Sequence, residues 1–170
     1  MKYEIAKQPY TILKLNMDAG ESIKCQSGAM AWMSPGIQME TKTGGLGGMF
    51  KKMIVGESLA LNNYYADRPG ELVLAKHCPG DIIAFNISEH PIIAQKTSFL
   101  ACTPNVDFEI YIQEKAGVGF FGGEGFLMQR YTGSGYAWLE IDGAVDERTL
   151  AAGEQLIIDS GYVAAMDATC

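Results

Sequence analysis

Val106-Asp107-Phe108-Glu109-Ile110-Tyr111-Ile112-Gln113 holds the cleanest alternation in the chain. Val106, Phe108, Ile110 and Ile112 fall on one side, and Asp107, Glu109, Tyr111 and Gln113 on the other, which is the period of a half-buried β-strand. A glycine-rich stretch follows, Gly117-Val118-Gly119-Phe120-Phe121-Gly122-Gly123-Glu124-Gly125-Phe126, and a second alternating run opens directly after it. The same arrangement stands earlier in the chain. Gly44-Gly45-Leu46-Gly47-Gly48-Met49-Phe50 leads through Gly56-Glu57-Ser58-Leu59 into another run of strand period. Gly123-Glu124 lies 67 residues after Gly56-Glu57, Gly135 lies 65 after Gly70, and Gly143 lies 63 after Gly80. The spacing falls in steps of two, which shortens turns while keeping the inward and outward faces of the strands in phase. This pattern reads as an internal duplication within a single domain over 1–170, with pseudo-repeats at about 28–103 and 104–170.

Working outward, alternation places Leu13, Leu15 and Met17 on one face of a strand over 11–17, and Ile23 and Cys25 on one face of another over 22–26. Runs 29–33 and 37–41 flank Ser34-Pro35-Gly36 and predict a hairpin closed by a type II-like turn, with Met30, Trp32, Ile37 and Met39 as apolar contributors. Further strands are expected over 58–65, 72–76, 81–87, 92–95, 98–103, 126–132, 136–141, 145–150, 155–159 and 162–166. Turn glycines recur between them, and no helical period is sustained. The fold class is therefore all-β, a two-repeat roll or barrel-like sandwich.

With 170 residues the chain can bury roughly 70% of its unfolded surface without staples. Thirteen basic and twenty acidic side chains give a net charge of −7. Residues 1–96 hold ten basic and nine acidic groups, whereas 97–170 hold three and eleven, so the second half presents an acidic, solvated face. Such a balance disfavours generic binding to a phosphate backbone, and no nucleic-acid partner is expected. Cys25, Cys78, Cys102 and Cys170 form no C-x-x-C pair, so they read as reduced cysteines of a cytoplasmic protein. The first ten residues lack the apolar stretch of a signal peptide, and no apolar run reaches the ~20 residues of a spanning helix.

The residues that could carry chemistry are few. Gly117-x-Gly119-x-x-Gly122 imitates a dinucleotide fingerprint, yet Gly123 and Gly125 would break the helix that such a site requires. Gly44–Gly48 lacks the Lys-Ser/Thr of a phosphate-binding loop. His77 and His90 are the two histidines; both sit in turn-like contexts and supply no metal set. Gly56-x-Ser58-x-Ala60 misses the nucleophile elbow. No catalytic residue, metal ligand or cofactor is therefore assigned. Candidate self-association or structural loops remain: Gly47, Gly48 and Phe50 in the first copy, Phe120, Phe121, Gly122 and Gly123 in the second, where aromatics beside glycines suit packing in the core or between the repeats, or else an apolar contact with another chain or a membrane surface. Replacing Gly123 by Val should disturb the fold or the oligomer, and Gly133→Ser, in an exposed turn, should do much less.

Gly28-Ala29-Met30-x-x-Met33-Ser34-Pro35-Gly36, Gly56-Glu57-Ser58-Leu59, Pro79-Gly80-Asp81-Ile82, Phe99-Leu100-Ala101-x-Thr103-Pro104 and Phe121-Gly122-Gly123-Glu124-Gly125 follow one another in order. Together they resemble the altered inheritance of mitochondria protein 24 family over roughly 20–170. The resemblance implies an all-β roll of the trp RNA-binding attenuation protein-like (double-stranded β-helix) type with two similar halves. It also implies homo-oligomers, with a trimer as the expected order. Mitochondrial members are linked to inner-membrane organisation, and no catalytic residues are defined for the family. Similar proteins usually continue past the position of Cys170 into another glycine-rich, apolar segment. The absence of an Arg-rich presequence points to a bacterial, cytoplasmic protein. The expectation is a non-enzymatic oligomeric scaffold or assembly domain, with a peripheral membrane or protein partner. Two alternatives stand beside it: a small-molecule- or metal-binding β-barrel enzyme, motivated by His77 and His90, and an RNA-binding module by analogy of fold.

Overall fold

The computed structural model describes residues 1–8, 10–41, 61–75, 78–111 and 127–170. Among these, the strands are β1 Lys2–Gln8, β2 Tyr10–Met17, β3 Ser22–Gln26, β4 Met30–Met33, β5 Ile37–Thr41, β6 Leu61–Ala66 and β7 Gly70–Ala75. They continue with β8 Gly80–Asn86, β9 Ile92–Gln95, β10 Phe99–Cys102, β11 Val106–Tyr111, β12 Met128–Gly133, β13 Tyr136–Asp142 and β14 Ala165–Asp167. All the pairings are antiparallel. The chain is all-β, as its alternation implies.

Three sheets result. The first runs β1-β2-β7-β4, the second β5-β6-β3-β10-β13-β8, and the third β11-β12-β9-β14. Two cores separate them. Leu13, Leu15 and Met17 of β2 and Leu72 and Leu74 of β7 meet Ile23, Tyr64, Leu100 and Trp138 of the second sheet. Phe99, Cys102, Ala137 and Leu139 of the second sheet meet Ile92 and Ala94 of β9 and Tyr131 of β12. The second sheet is thus the middle layer, and its strands β10 and β13 supply both cores. Phe99, Leu100, Ala101 and Cys102 are all fully buried, so β10 reads as a continuous apolar run and not an alternating one.

The Ser34-Pro35-Gly36 hairpin is not formed. β4 pairs with β7 in the first sheet, while β5 pairs with β6 in the second. The turn is a corner between layers: the Ile37 amide donates to the Ser34 carbonyl at 2.9 Å, and the Asp67 amide donates to the Gly36 carbonyl at 3.0 Å. Gly36 has no positive φ, so the turn is not type II. Glycine is needed there because a Cβ would run into the Arg68 side chain. Of the four expected apolar contributors, Ile37 is buried, but Trp32 and Met39 are exposed. The first strand, β1, covers a stretch to which sequence periodicity assigned no element. It pairs with β2 along its whole length, Lys2 opposite Asn16 through Gln8 opposite Tyr10.

The pairing pattern occurs twice. In β4–β7, Met30 opposes Leu74 and Trp32 opposes Val73, with a register shift between them. In β10–β13, Phe99 opposes Leu139 and Ala101 opposes Trp138, with the shift at the corresponding place. In β3–β6, Ile23 opposes Tyr64 and Cys25 opposes Asn62; in β9–β12, Ile92 opposes Tyr131 and Ala94 opposes Gln129. Both tyrosines are buried, and each has a buried amide partner two residues before it. Tyr64 hydrogen-bonds to Asn62, and the Tyr131 hydroxyl lies 3.2 Å from Gln129 Oε1. A buried hydroxyl needs such a partner to offset its lost hydration.

Cys25 and Cys102 are buried, whereas Cys78 and Cys170 are exposed. Burial pushes the Cys25 and Cys102 thiols up to about 12 from an ordinary value of 9.0. Both stay protonated in the fold, while unfolded thiols ionise near the ordinary value. Their contribution to stability is therefore full below pH 9.0 and falls as pH rises toward about 12. A thiol-specific reagent at neutral pH should label Cys78 and Cys170 in the native protein and reach Cys25 and Cys102 only on unfolding; full native labelling would contradict the two-core packing.

Gly133 corrects a sequence expectation. Its φ is +101°, and a Cβ would strike the Asn105 carbonyl oxygen, so a side chain there is strained even though the turn is exposed. Gly133→Ser is accordingly expected to destabilise by about 1–3 kcal/mol, the cost of a side chain in that backbone region. Urea unfolding checks this; a midpoint equal to that of the parent would refute it.

Candidate assembly surface

Several parts of the described surface expose apolar residues on backbone that lacks a full set of strand neighbours, Met39 on β5 and Tyr3 on β1 among them, and two of these carry clustered aliphatic or indole side chains. The first is the outer side of β4, which ends the first sheet. Trp32 is 49% exposed and Met33 37%. The Trp32 indole is held by its N–H, which donates to Glu71 Oε1 at 3.0 Å.

The second lies between β13 and β14. The sequence reading places strands over 145–150 and 155–159, but neither forms there. The segment leaves β13 at Gly143, whose φ is +76° and whose amide donates to the Pro79 carbonyl at 3.3 Å. It then runs as two irregular limbs, 144–150 and 155–159, joined by a turn in which the Glu154 amide donates to the Ala151 carbonyl at 2.9 Å. Gly153 takes φ +82° in that turn. The Glu154 carboxylate closes it from the other side, accepting from the Ala151 amide at 2.8 Å. Residues 142–159 are exposed throughout, and the second limb carries Leu156, Ile157 and Ile158, of which Ile157 is 99% exposed. A 3₁₀ turn over Ser160–Tyr162 leads back to β14, where Ala165 opposes Ala94 and Met166 opposes Ile93. The β-branched residues of these limbs favour a strand locally; a strand also needs a neighbour for its backbone, and local propensity does not say whether one is present.

A third feature is an aromatic cleft of about 760 Å³ lined by Tyr3, Tyr136 and Trp138, with Ser22, Thr103 and Pro104 beside them. The Tyr3 ring stands edge-on to Trp138 at 5.5 Å, and Tyr136 stacks on Trp138 at 5.9 Å. Trp138 Nε1 is buried and has no hydrogen-bond partner among the described residues.

The candidate loop residues Gly47, Gly48, Phe50, Phe120, Phe121, Gly122 and Gly123 lie outside the described residues, as does His77. His90 is exposed, with its Nδ1 3.8 Å from Asp167 Oδ2. The Asp167 carboxyl is held below its ordinary value, chiefly by the Thr169 hydroxyl and amide that donate to it. Among the described residues, no three His, Cys, Asp or Glu side chains gather closely enough to hold a metal ion. No described helix is long and apolar enough to cross a membrane. Sequence reasoning missed the β4 edge because it read Trp32, with Met30, as an apolar contributor to a hairpin. It also missed the two limbs as a surface because it placed them inside a sheet.

A family profile described as mitochondrial biogenesis AIM24 matches residues 3–170. An uncharacterized protein of Streptococcus pyogenes serotype M6 is 26% identical over 165 residues, covering 92% of this chain and 66% of that protein. The chain therefore spans just under two thirds of the length of this curated relative. A crystal structure of a Streptococcus pyogenes protein superposes with a TM-score of 0.81 over 98% of this chain and 76% of that one; at 23% identity it shows a shared fold. With the profile covering almost its whole length, the chain belongs to the mitochondrial biogenesis AIM24 family.

Proposed function

We infer that the chain is a non-enzymatic assembly domain, a cytoplasmic scaffold that forms a defined homo-oligomer, with a trimer as the expected order. The observation that carries this reading is the exposed segment 142–159, whose second limb presents Leu156-Ile157-Ile158 to solvent. A strand edge with apolar side chains and free amides is the template on which chains add to one another, and monomeric proteins usually blunt such edges with charge, proline or a cover. Here the apolar limb is held out by ordered turns at Gly143 and Gly153. The duplicated pairing pattern supports the same reading. A protein built by joining like units edge to edge already contains the surfaces by which further units can join.

Sedimentation velocity and native mass spectrometry at micromolar concentrations should give one species of defined stoichiometry. A monomer across that range would overturn the assembly reading.

A further inference from the structure

We propose that the aromatic cleft beside Trp138 binds a neutral, planar aromatic carbonyl compound, whose oxygen accepts the hydrogen bond that the buried Trp138 indole does not make within the protein.

Strand pairing builds the cleft. Tyr3 stands opposite Leu15 in the β1–β2 pair, so its ring lies on the side of the first sheet that carries the core leucines. Tyr136 and Trp138 are two residues apart on β13 and share one side of the middle sheet, the side that packs against the first. The three rings therefore meet between the two layers, Tyr3 lying 5.6 Å from Tyr136 and 5.5 Å from Trp138. At this end β3 begins with Ser22, β13 begins with Tyr136, and β10 has given way to Thr103 and Pro104. The cleft opens there with about 760 Å³, a volume suited to a small molecule.

Polar groups of the wall are already committed. The Thr103 hydroxyl accepts from the Tyr136 amide at 3.1 Å. The Glu21 carboxylate accepts from the Asp18 amide at 2.8 Å, and the Gly20 amide donates to the Ala66 carbonyl at 2.8 Å. Trp138 Nε1 differs from these. The residue is 1% exposed, and its N–H has no acceptor among the described residues. Trp32 shows the ordinary outcome: half exposed, it still donates to Glu71 Oε1. A buried indole N–H usually finds a partner, because an unmade bond leaves its lost hydration without compensation. The rings of Tyr3 and Tyr136 around it are weak acceptors. A water molecule is a poor substitute, since a buried water needs two or more polar partners and this donor offers one.

These features define the ligand. The tyrosine rings, each partly exposed, offer apolar faces to a flat aromatic body. The indole is a donor only, so the ligand must bring an acceptor, and a carbonyl oxygen is the compact one. Lys2 and Glu21 both line the cleft, and their opposite charges favour a neutral molecule over an ion of either sign. Nε1 is shut off from solvent, so the Tyr3 ring turns aside as the oxygen enters. That ring is 42% exposed and belongs to β1, the outermost strand of the first sheet. The cleft shares no residue with segment 142–159, and this site is independent of the assembly reading.

The indole N–H signals report the site directly. In ¹⁵N-labelled protein the two tryptophans give two indole resonances, assigned with Trp32→Phe. That of Trp138 should lie upfield of that of Trp32, as a donor without an acceptor. Titration with coumarin should move the Trp138 signal downfield and to saturation while the Trp32 signal stays in place. Chromene, the same two rings without the carbonyl, should bind about tenfold more weakly, the worth of one hydrogen bond, and should give no downfield shift. Tyr136→Ser, which removes a stacking face, should weaken coumarin about tenfold and leave the Trp32 signal unchanged. A Trp138 signal that does not respond to millimolar coumarin would overturn the site. So would a Trp138 signal that lies at the hydrogen-bonded position or exchanges with water in the free protein. Equal binding of coumarin and chromene would overturn the role given to the indole, and equal shifts of both tryptophans would show surface adsorption in place of a site.

Discussion

Phe99-Leu100-Ala101-Cys102 can leave water completely because the backbone of β10 finds hydrogen-bonding neighbours on both sides, β3 and β13, while its side chains feed two cores. Backbone amides and carbonyls in an apolar layer must be paired, and the middle sheet meets that requirement at its centre. The rest of the molecule is arranged around this. The first sheet covers one face of β10 and β13 with Leu13, Leu15, Leu72 and Leu74, and the third covers the other with Ile92, Ala94 and Tyr131. The chain passes from layer to layer at almost every turn, so glycine and proline corners at Gly36, Gly70, Gly80 and Gly135 matter more than hairpin loops. At Gly135 the φ of +122° and the Thr103 side chain beside it leave no room for a Cβ.

The same requirement explains what stays outside. A four-residue strand such as β4, paired on one side, keeps its apolar side chains half in water, whereas its counterpart β10, paired on both sides, buries all four. The difference between Trp32 and Ala101 is one of neighbours and not of propensity. Polar groups obey the rule as well. Asn62 and Gln129 are buried among apolar residues because Tyr64 and Tyr131 bring hydroxyls to them. Charge is kept at the rim, where Lys24 donates to the Val106 carbonyl at 3.0 Å and stands 3.7 Å from Asp107. An isolated partly exposed pair of this kind contributes little to stability, about 0–1 kcal/mol, and its use is to fix the approach of β11 to β3.

The family to which the chain belongs and the fold it shares with the Streptococcus pyogenes structure do not in themselves define an activity. Among the described residues, the segment 142–159 is exposed, apolar in its second limb and without a strand partner, whereas the described strands all have neighbours. Such a segment lowers its free energy by meeting another edge, since the backbone and the Leu156-Ile157-Ile158 side chains gain partners together.

The sequence by itself determined the fold class, because period-two alternation and recurrent turn glycines are local signals. It also located the faces of β2, β3 and β11, where Leu13, Ile23 and Val106 are buried as their parity requires. The spacing of 67 between like segments in the sequence is also the spacing of Tyr64 and Tyr131 in the pairing. Tertiary structure decided which strand lies beside which. The Ser34-Pro35-Gly36 corner could close a hairpin or separate two layers with the same residues, and only the competing neighbours β7 and β6 settle it. β1 has mixed polarity and reads as a tail, yet it becomes a strand because the edge of β2 is open to it. Gln155–Asp159 has the apolar, β-branched centre of a strand and pairs with none of the described strands, because a strand is a relation between two backbones and a sequence describes only one of them.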